Sequence, residues 1–138
     1  MITVRKQEVV KLENIFHLYQ AVGWTNYTHQ PQMLEQALSH SLAIYLALDG
    51  DAVVGLVRLI GDGFSSVFVQ DLIVLPTYQR QGIGGALMKE ALGDFKDAYQ
   101  IQLATEQTEK SLGFYRSLGF ETLSTYDCTG MIWVNRKK

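Results

Sequence analysis

The sequence predicts an α/β fold in which helices flank a mixed, mainly antiparallel sheet. β-rich segments separated by turn residues and apolar stretches at helical spacing together indicate this fold class. Hydrophobic residues make up 47% of the 138-residue chain and charged residues 19%, a composition typical of globular proteins and not of disordered ones. A chain of this length buries a core of its own, so we expect a single domain over residues 1–138.

The first third of the chain predicts a strand and two helices. Ile2 to Arg5 is β-rich and short, and it is followed by apolar residues at helical spacing up to Gly23, which we expect to end the helix. These apolar residues are Leu12, Ile15, Phe16, Tyr19 and Val22. Trp24 to Gln30 shows no period and predicts a loop, whereas Pro31 is typical of the start of a second helix. Leu34, Ala37, Leu38 and Leu42 share one face of that helix.

The middle of the chain predicts an antiparallel meander. The apolar, β-branched runs at 44–48 and 52–60 are separated by Asp49-Gly50-Asp51, which carries the Asp-Gly signal of a tight hairpin turn. A second turn at Gly61-Asp62-Gly63 leads into a further apolar run, Ser66 to Leu75. The sequence therefore predicts three consecutive strands.

The remaining elements alternate helix and strand. An apolar stripe from Ile83 to Phe95 predicts a helix, Gln100 to Ala104 a short strand, and Lys110 to Leu118 another helix. Gly119 stands where a glycine that ends this last helix is expected.

The C-terminal end predicts further β structure. Glu121 to Val134 contains two β-leaning segments broken near Asp127–Gly130, and Arg136-Lys137-Lys138 is expected to be a solvated tail.

Charge and cysteine content exclude several classes of function. The net charge of -2 gives no general attraction to phosphate polymers, so nucleic acid is not an expected partner. The single cysteine, Cys128, forms no internal disulfide, and no Cys/His set has zinc-site spacing, so we predict no metal and a cytoplasmic location. The N-terminus lacks the apolar region of a signal peptide, and the chain lacks a run of about 18 apolar residues, so we predict neither export nor a membrane partner.

A glycine-rich loop between a strand and a helix is the most informative stretch. The strand ends at Pro76, and Gly82, Gly84 and Gly85 open the helix, whose first N–H groups and partial positive charge attract an anion. Gln79-Arg80-Gln81 supplies none of the usual capping side chains, which leaves these N–H groups for an external ligand. The alternative is a tight turn with solvated amides.

Two common phosphate-binding motifs do not fit this loop. A P-loop requires Lys and then Ser or Thr after its last glycine, but Gly85-Ala86 follow Gly84, which disfavours ATP or GTP hydrolysis. A dinucleotide fingerprint requires a third glycine where Leu87 stands and a tight turn, whereas Pro76 to Gln81 intervene here.

The loop resembles that of the GNAT superfamily of N-acetyltransferases. Gln79-Arg80-Gln81-Gly82-Ile83-Gly84 matches the family pattern Gln/Arg-x-x-Gly-x-Gly/Ala, and the likeness continues upstream through Leu72–Tyr78 and downstream through Ala86–Met88. A second family-like signature is Phe114-Tyr115-Arg116-Ser117-Leu118-Gly119-Phe120. The resemblance covers residues 66–120 and includes no diagnostic match for an acceptor-binding region.

The resemblance implies an acetyl-CoA site. Its pyrophosphate would lie on the loop and the start of the helix, at Gln79, Arg80, Gln81, Gly82, Ile83, Gly84 and Gly85. The strand Gln70–Leu75 would separate from its neighbour, so that the pantetheine arm bonds to the backbone of Leu72, Ile73 and Val74. A backbone N–H near Leu72 or Ile73 would stabilise the charge on the thioester oxygen.

The resemblance also implies a general acid, and the predicted strand Gln70–Leu75 contains a candidate general base. Tyr115 matches the family position that protonates the departing thiolate, although its alternative role is a core aromatic beside Phe114 and Leu118. Asp71 is the carboxylate beside the expected thioester and would bind the ammonium group or accept its proton through water. Its alternative role is an exposed strand residue paired with a cation, and Glu106 is a weaker candidate base.

The acceptor site is less well specified. Trp24, Tyr27 and His29 are candidate substrate-binding residues, although loop aromatics more often pack over the edge of a core. His17 and His40 lie on predicted helices, and the three histidines lack metal-ligand spacing. Cys128 lies outside the recognised motifs and is interpreted as a structural thiol in preference to an acetyl-carrying nucleophile.

The sequence therefore predicts an acetyl-CoA-dependent enzyme that transfers its acetyl group directly to a primary amine, with a small molecule favoured as acceptor. A non-enzymatic acyl-CoA sensor and a protein or peptide N-acetyltransferase are the alternatives. Acetyl-CoA and the amine are the expected partners, and a homodimer is left open.

Overall fold

The structure is a computed structural model that describes residues 1–135. It comprises two compact units, Met1–Ala104 and the chain from Thr105 onward. The expectation of a single domain stays a prediction.

A five-stranded sheet forms the centre of the first unit. Its strands are β1 (Ile2–Lys6), β2 (Ala43–Asp49), β3 (Ala52–Gly61), β4 (Val67–Val74) and β5 (Ile101–Leu103), and their spatial order follows the chain. The first three neighbouring pairs are antiparallel, whereas β4 and β5 are parallel. The predicted mixed, mainly antiparallel sheet is confirmed.

Helices cover both faces of this sheet. The first unit contains α1 (Leu12–Ala21), α2 (Thr25–Thr28), α3 (Pro31–Ser39) and α4 (Ile83–Asp94). Side chains from α1, α2 and α3 share a buried apolar cluster with Leu46 and Ile73, whereas Leu87 of α4 lies against Gly55 on the opposite face. Because both faces are covered, six consecutive residues of β2 are buried. No helix among residues 1–135 is both long and apolar enough to cross a membrane.

The predicted hairpin between β2 and β3 forms at the expected glycine. Gly50 has a φ of +61°, a left-handed conformation that glycine adopts without steric cost. The turn aligns Asp49 with Ala52 and fixes the register of the two strands.

The segment Trp24–Gln30 was predicted as a loop, but it contains the short helix α2. Its carbonyl at Trp24 accepts hydrogen bonds from the N–H groups of Tyr27 and Thr28, and the Tyr27 side chain is buried. Four residues are too few to show a helical period in the sequence, which explains the wrong prediction.

The second unit begins with a well-capped helix. α5 spans Glu109–Ser117, and the hydroxyl of Thr108 accepts a hydrogen bond from the N–H of Ser111 at 3.1 Å. At its other end the N–H of Gly119 bonds to the carbonyl of Arg116 at 3.0 Å, which confirms the predicted cap.

The predicted β structure at the C-terminal end is wrong for the described residues. A 3-10 helix spans Leu123–Tyr126, and no strand occurs between Glu121 and Asn135. Apolar β-leaning residues form a strand only where a partner strand satisfies their backbone groups. The tail Arg136-Lys137-Lys138 lies outside the described residues.

Candidate active site

β4 and β5 pair over only part of the length of β4. Val67, Phe68 and Val69 pair with β5, and the register ends there. On the β5 side, the backbone from Gln70 to Val74 therefore has no strand partner within residues 1–135. This end of the pairing agrees with the predicted separation of Gln70–Leu75 from its neighbour, and it leaves backbone groups for a ligand.

A β-bulge lies at the point where this pairing ends. The register between β3 and β4 passes from Arg58 opposite Asp71 to Leu59 opposite Val69, so Gln70 is the extra residue. Such an insertion changes the face on which the following side chains lie. As a result, Asp71 joins Ile73 on the face that α1, α2 and α3 cover.

The glycine loop leaves the start of α4 without a side-chain cap. Gly82 is the N-cap residue with a φ of +79°, and Arg80 also has a positive φ, +67°. The first backbone hydrogen bond of the helix joins the N–H of Ala86 to the carbonyl of Gly82 at 3.0 Å. A side chain at Gly85 would meet no heavy atom within 4 Å. The helix start is thus open to an anion.

Two side-chain hydrogen bonds hold the loop to the sheet. Gln79 donates from Nε2 to the carbonyl of Val74 at 3.1 Å, and the Tyr78 hydroxyl donates to Oδ2 of Asp49 at 2.7 Å. The side chain of Arg80 is exposed. The loop therefore combines a fixed backbone with an available cation, a combination suited to phosphate.

Asp71 lies in a group of polar side chains that we call the buried polar cluster, which consists of Tyr19, Tyr27, Arg58 and Asp71. Oδ2 of Asp71 accepts hydrogen bonds from Nε of Arg58 at 2.8 Å and from the Tyr19 hydroxyl at 2.9 Å. Oδ1 accepts from the Tyr27 hydroxyl, also at 2.9 Å. The alternative of an exposed Asp71 is therefore wrong, although its pairing with a cation is confirmed.

The remaining Arg58 donors also have partners. Nη1 bonds to Oγ of Ser41 at 3.1 Å, and Nη2 bonds to the Tyr27 hydroxyl at 3.3 Å. Within the described part of the chain, no buried side-chain polar atom lacks a hydrogen bond. The cluster is therefore internally satisfied, as buried charges require.

The electrostatics of the cluster keep the guanidinium charged and the phenols protonated. Burial raises the pKa of Tyr19 and of Tyr27, and the adjacent Asp71 carboxylate raises both further. Burial alone would lower the pKa of Arg58, but Asp71 and the two phenols raise it overall.

The structure brings two of the three candidate acceptor residues together. The ring of Trp24 lies 6.1 Å from that of Tyr19 and 6.3 Å from that of Tyr27, so both candidates belong to one aromatic group. The Tyr27 hydroxyl also accepts a hydrogen bond from Nε2 of Gln70 at 3.3 Å. His29 is exposed after α2 and is not in this aromatic group as the structure describes it.

Sequence reasoning missed Arg58 and Tyr19. A single arginine inside the apolar run 52–60 is a signal, because a buried charge requires a partner. Asp71 is the opposite charge in the next strand. The sequence does not show that Arg58 and Asp71 lie opposite each other, because the β-bulge shifts the register of the two strands.

A cavity of about 750 Å³ lies elsewhere in the first unit. Residues of β1, of the start of α1 and of the β2–β3 hairpin line it, together with Leu75 and Tyr78. None of the candidate site residues lines this cavity. It adjoins the end of the strand and the beginning of the loop through Leu75 and Tyr78.

Tyr115 lies on α5 in the second unit and is half-buried. Its ring makes edge contacts with Phe114 at 4.9 Å and Phe120 at 6.0 Å between centroids. Burial raises the pKa of the Tyr115 phenol, while the Thr105 side chain acts in the lowering direction. Glu106 and Cys128 are exposed in the same unit. No group of three or more metal-ligating side chains occurs among residues 1–135.

An open strand edge next to an uncapped helix start defines a site for an elongated ligand with an anionic group. Residues 40–122 match the model of the acetyltransferase (GNAT) domain. The chain belongs to this family and is an acetyl-CoA-dependent acyltransferase.

Relatives of known structure or curated function agree with this family. A GNAT acetyltransferase of Streptococcus pneumoniae TIGR4, protein SP0256, is 80% identical over 99% of each chain, with a TM-score of 0.91. The Arabidopsis thaliana protein "GCN5-related N-acetyltransferase 1, chloroplastic" is 28% identical over 97% of this chain and 68% of its own length. The structure of AAC(6')-Iy with a CoA-linked bisubstrate analogue has a TM-score of 0.71 at 19% identity, covering 99% of each chain.

Proposed function

We propose that this enzyme transfers acetyl from acetyl-CoA directly to a primary amine, and that its acceptor is a small molecule. The observation that carries the proposal is the edge of β4 from Gln70 to Val74, which has no strand partner on the β5 side and leads towards the uncapped start of α4 at Gly82. In this arrangement the pyrophosphate binds the loop Gln79–Gly85, and the pantetheine arm lies along Leu72–Val74.

The chemical step uses the backbone of β4. The amine nitrogen attacks the thioester carbon, and charge develops on the carbonyl oxygen. We assign the stabilising N–H to Leu72 or Ile73, because backbone donors fixed in a strand need no reorganisation during the reaction. The new C–N bond forms and the C–S bond breaks, so the electron pair leaves on the CoA sulfur.

Tyr115 is the proposed source of the proton for this thiolate. Its raised pKa keeps the phenol protonated at neutral pH.

Asp71 is the proposed sink for the proton of the amine, and the route to it passes through Tyr27. Both carboxylate oxygens of Asp71 already accept hydrogen bonds from the buried polar cluster. The Tyr27 hydroxyl, which bonds to Asp71 and to the bulge residue Gln70, is the group through which a water-linked amine would reach the carboxylate. Trp24 and His29 are the other proposed acceptor contacts.

The small-molecule assignment is supported by one structural neighbour. The bisubstrate analogue bound to AAC(6')-Iy is CoA-S-monomethyl-acetylneamine, which joins CoA to a small amine compound. A cytoplasmic location also stays a prediction, with the absence of a second cysteine as its support.

Release of the free CoA thiol tests this function. The enzyme is mixed with acetyl-CoA and with matched panels of small primary amines and of peptides that carry a free N-terminus or a lysine. Thiol release with a small amine at rates above those with the peptides supports the proposal. Faster release with peptides would make it a protein acetyltransferase, and acetyl-CoA binding without release in either panel would support the sensor alternative.

A further inference from the structure

The backbone of the glycine loop makes few internal contacts. Within the described chain, the N–H groups of residues 80–85 form no hydrogen bond, and the next bonded N–H is that of Ala86. Arg80 and Gly82 both have a positive φ, and this conformation is unfavourable for a residue such as Arg80 that is not glycine. A loop of this kind keeps its shape only if the structure around it holds it in place.

One side-chain hydrogen bond ties the start of this loop to a distant part of the chain. The Tyr78 hydroxyl donates to Oδ2 of Asp49 at 2.7 Å, and the two residues are 29 positions apart in the sequence. The other side-chain hydrogen bond of the loop, from Gln79 to Val74, joins residues only 5 positions apart. Among residues 76–85 as the structure describes them, Tyr78 is therefore the one side chain that bonds beyond the adjoining strand β4.

Asp49 is a fixed anchor for this hydrogen bond. It lies at the end of β2, where its backbone is aligned with Ile2 of β1 and with Ala52 of β3. The bond lowers the pKa of Asp49 and raises the pKa of Tyr78, so at neutral pH the carboxylate accepts and the phenol donates. Apolar packing encloses the Tyr78 ring only in part, because this half-buried residue lines the cavity of about 750 Å³. The hydrogen bond is thus needed to hold the side chain in one position.

We propose that Tyr78 and Asp49 are positioning residues for acetyl-CoA, and that the bond between them holds the glycine loop in the conformation that receives the pyrophosphate. This inference rests on the proposed placement of the pyrophosphate at Gln79–Gly85. Because Tyr78 directly precedes Gln79, a fixed phenol limits the backbone conformations of the residues that follow. A ligand binds more weakly in proportion as the competent conformation of its site is less populated, so the pair strengthens binding by keeping that conformation populated.

The first test removes each half of the hydrogen bond and measures acetyl-CoA affinity by titration calorimetry. Tyr78→Phe keeps the ring and Asp49→Ala removes the acceptor, and we expect each change to weaken affinity about tenfold. Because the same bond is lost in both, the double variant should bind no more weakly than the single variants. Tyr99→Phe, an exposed phenol of the first unit, and Asp51→Ala, an exposed carboxylate of the same turn, are matched controls that should keep wild-type affinity. Single variants within about twofold of wild type, or losses that multiply in the double variant, overturn the proposal.

The conservative variant Asp49→Asn separates this hydrogen bond from the charge of Asp49. Oδ1 of Asp49 also lies 3.6 Å from the N-terminal amino group, and Asp49→Ala removes this ion pair as well. The asparagine amide oxygen still accepts from the Tyr78 hydroxyl, so we expect Asp49→Asn to retain an affinity within about threefold of wild type. A loss as large as that of Asp49→Ala would assign the effect to the charge and overturn the role of the bond.

Steady-state kinetics distinguish positioning of the loop from a general loss of structure. Bound acetyl-CoA selects the competent loop conformation, so Tyr78→Phe should raise the KM for acetyl-CoA about tenfold and leave kcat unchanged. The KM for any amine that supports thiol release should also stay the same. An equal rise in both KM values, or a fall in kcat with the KM for acetyl-CoA unchanged, would contradict a role confined to cofactor binding.

Gly85→Asp separates failure of this inference from failure of the proposed function. It tests the placement of the pyrophosphate directly, since it adds a negative charge at the start of α4. If Gly85→Asp weakens acetyl-CoA binding and Tyr78→Phe does not, the positioning role alone fails. If neither change weakens binding, the placement of the cofactor on the glycine loop fails together with the positioning role.

Discussion

The glycine loop and the buried polar cluster are both rich in hydrogen-bonding groups, but they use them in opposite ways. At the start of α4 the first N–H groups have no side-chain cap, and the Arg80 side chain lies in solvent. In the cluster, both oxygens of Asp71 and the donors of Arg58 are engaged with one another or with neighbouring groups. The loop thus leaves its donors free for a ligand, whereas the charged groups of the cluster are engaged with one another within the fold.

Tyr115 should show the largest effect, because its proton is not committed to a carboxylate as those of Tyr19 and Tyr27 are. Tyr115→Phe keeps the ring but removes the acid, so we expect turnover to fall by roughly 10²–10⁴-fold with little change in acetyl-CoA affinity. Single-turnover thiol release measures the loss. Tyr126→Phe, an exposed phenol in the same unit, is the matched control.

The pH profile adds a second readout for Tyr115. Since burial raises its pKa, the wild-type rate should decline only above the ordinary tyrosine value of about 10, and Tyr115→Phe should lack this decline. A turnover within about twofold of wild type would make Tyr115 a packing residue and leave the acid unassigned.

A substitution in the buried polar cluster should have the next largest effect, which is on the free energy of unfolding. Asp71→Asn leaves the Arg58 guanidinium buried without its counter-charge, and we expect a loss of about 3–5 kcal/mol in the free energy of unfolding. Urea unfolding at pH 7 measures it, with the exposed Asp51→Asn as control. The double variant Asp71→Asn with Arg58→Met should lose less than the sum of the single losses. Additive losses, or a single loss under about 1 kcal/mol, would contradict a coupled pair.

A substitution in the glycine loop should affect acetyl-CoA binding without affecting folding. Gly85→Asp adds a negative charge at the start of α4, where the structure has space for the side chain, and acetyl-CoA affinity should fall about 100-fold. Gly93→Asp makes the same change near the other end of the helix, also in open space, and should leave affinity unchanged. Titration calorimetry compares the two. Equal affinities would remove the helix start from the cofactor site.

Local patterns in the sequence predicted the elements that local residues determine. The hairpin at Gly50 and the loop before α4 depend on neighbouring residues, and both were visible in the sequence. The pairing of Arg58 with Asp71 depends on the register of two strands, which the extra residue Gln70 shifts by one position. Similarly, a β-leaning segment such as Met131–Val134 becomes a strand only if a partner strand is present. The sequence of the segment alone does not show whether such a partner exists.

The smallest predicted effect concerns the alkaline stability of the cluster. Tyr19→Phe removes one hydrogen bond to the Asp71 carboxylate, but Arg58 still bonds to the same oxygen, so we expect a loss of about 1.5 kcal/mol at pH 7. The pKa of Tyr19 is raised in the folded state, which means that the folded protein holds this proton more tightly than the unfolded chain does. The corresponding stability is therefore present below pH 10, the ordinary value, and is lost as the pH rises above it.

In this range each such phenol lowers the free energy of unfolding by about 1.4 kcal/mol per pH unit, because the unfolded chain releases a proton that the folded chain retains. The free energy of unfolding of the wild type should consequently decline steeply between about pH 10 and pH 11. That of Tyr19→Phe should decline less steeply, by about 1.4 kcal/mol per pH unit. Urea unfolding at several pH values gives both slopes. Parallel curves for wild type and Tyr19→Phe would mean that Tyr19 ionises alike in the folded and unfolded chains. That result would contradict the difference between the buried polar cluster and the glycine loop, because the cluster would then be as accessible to solvent as the start of α4.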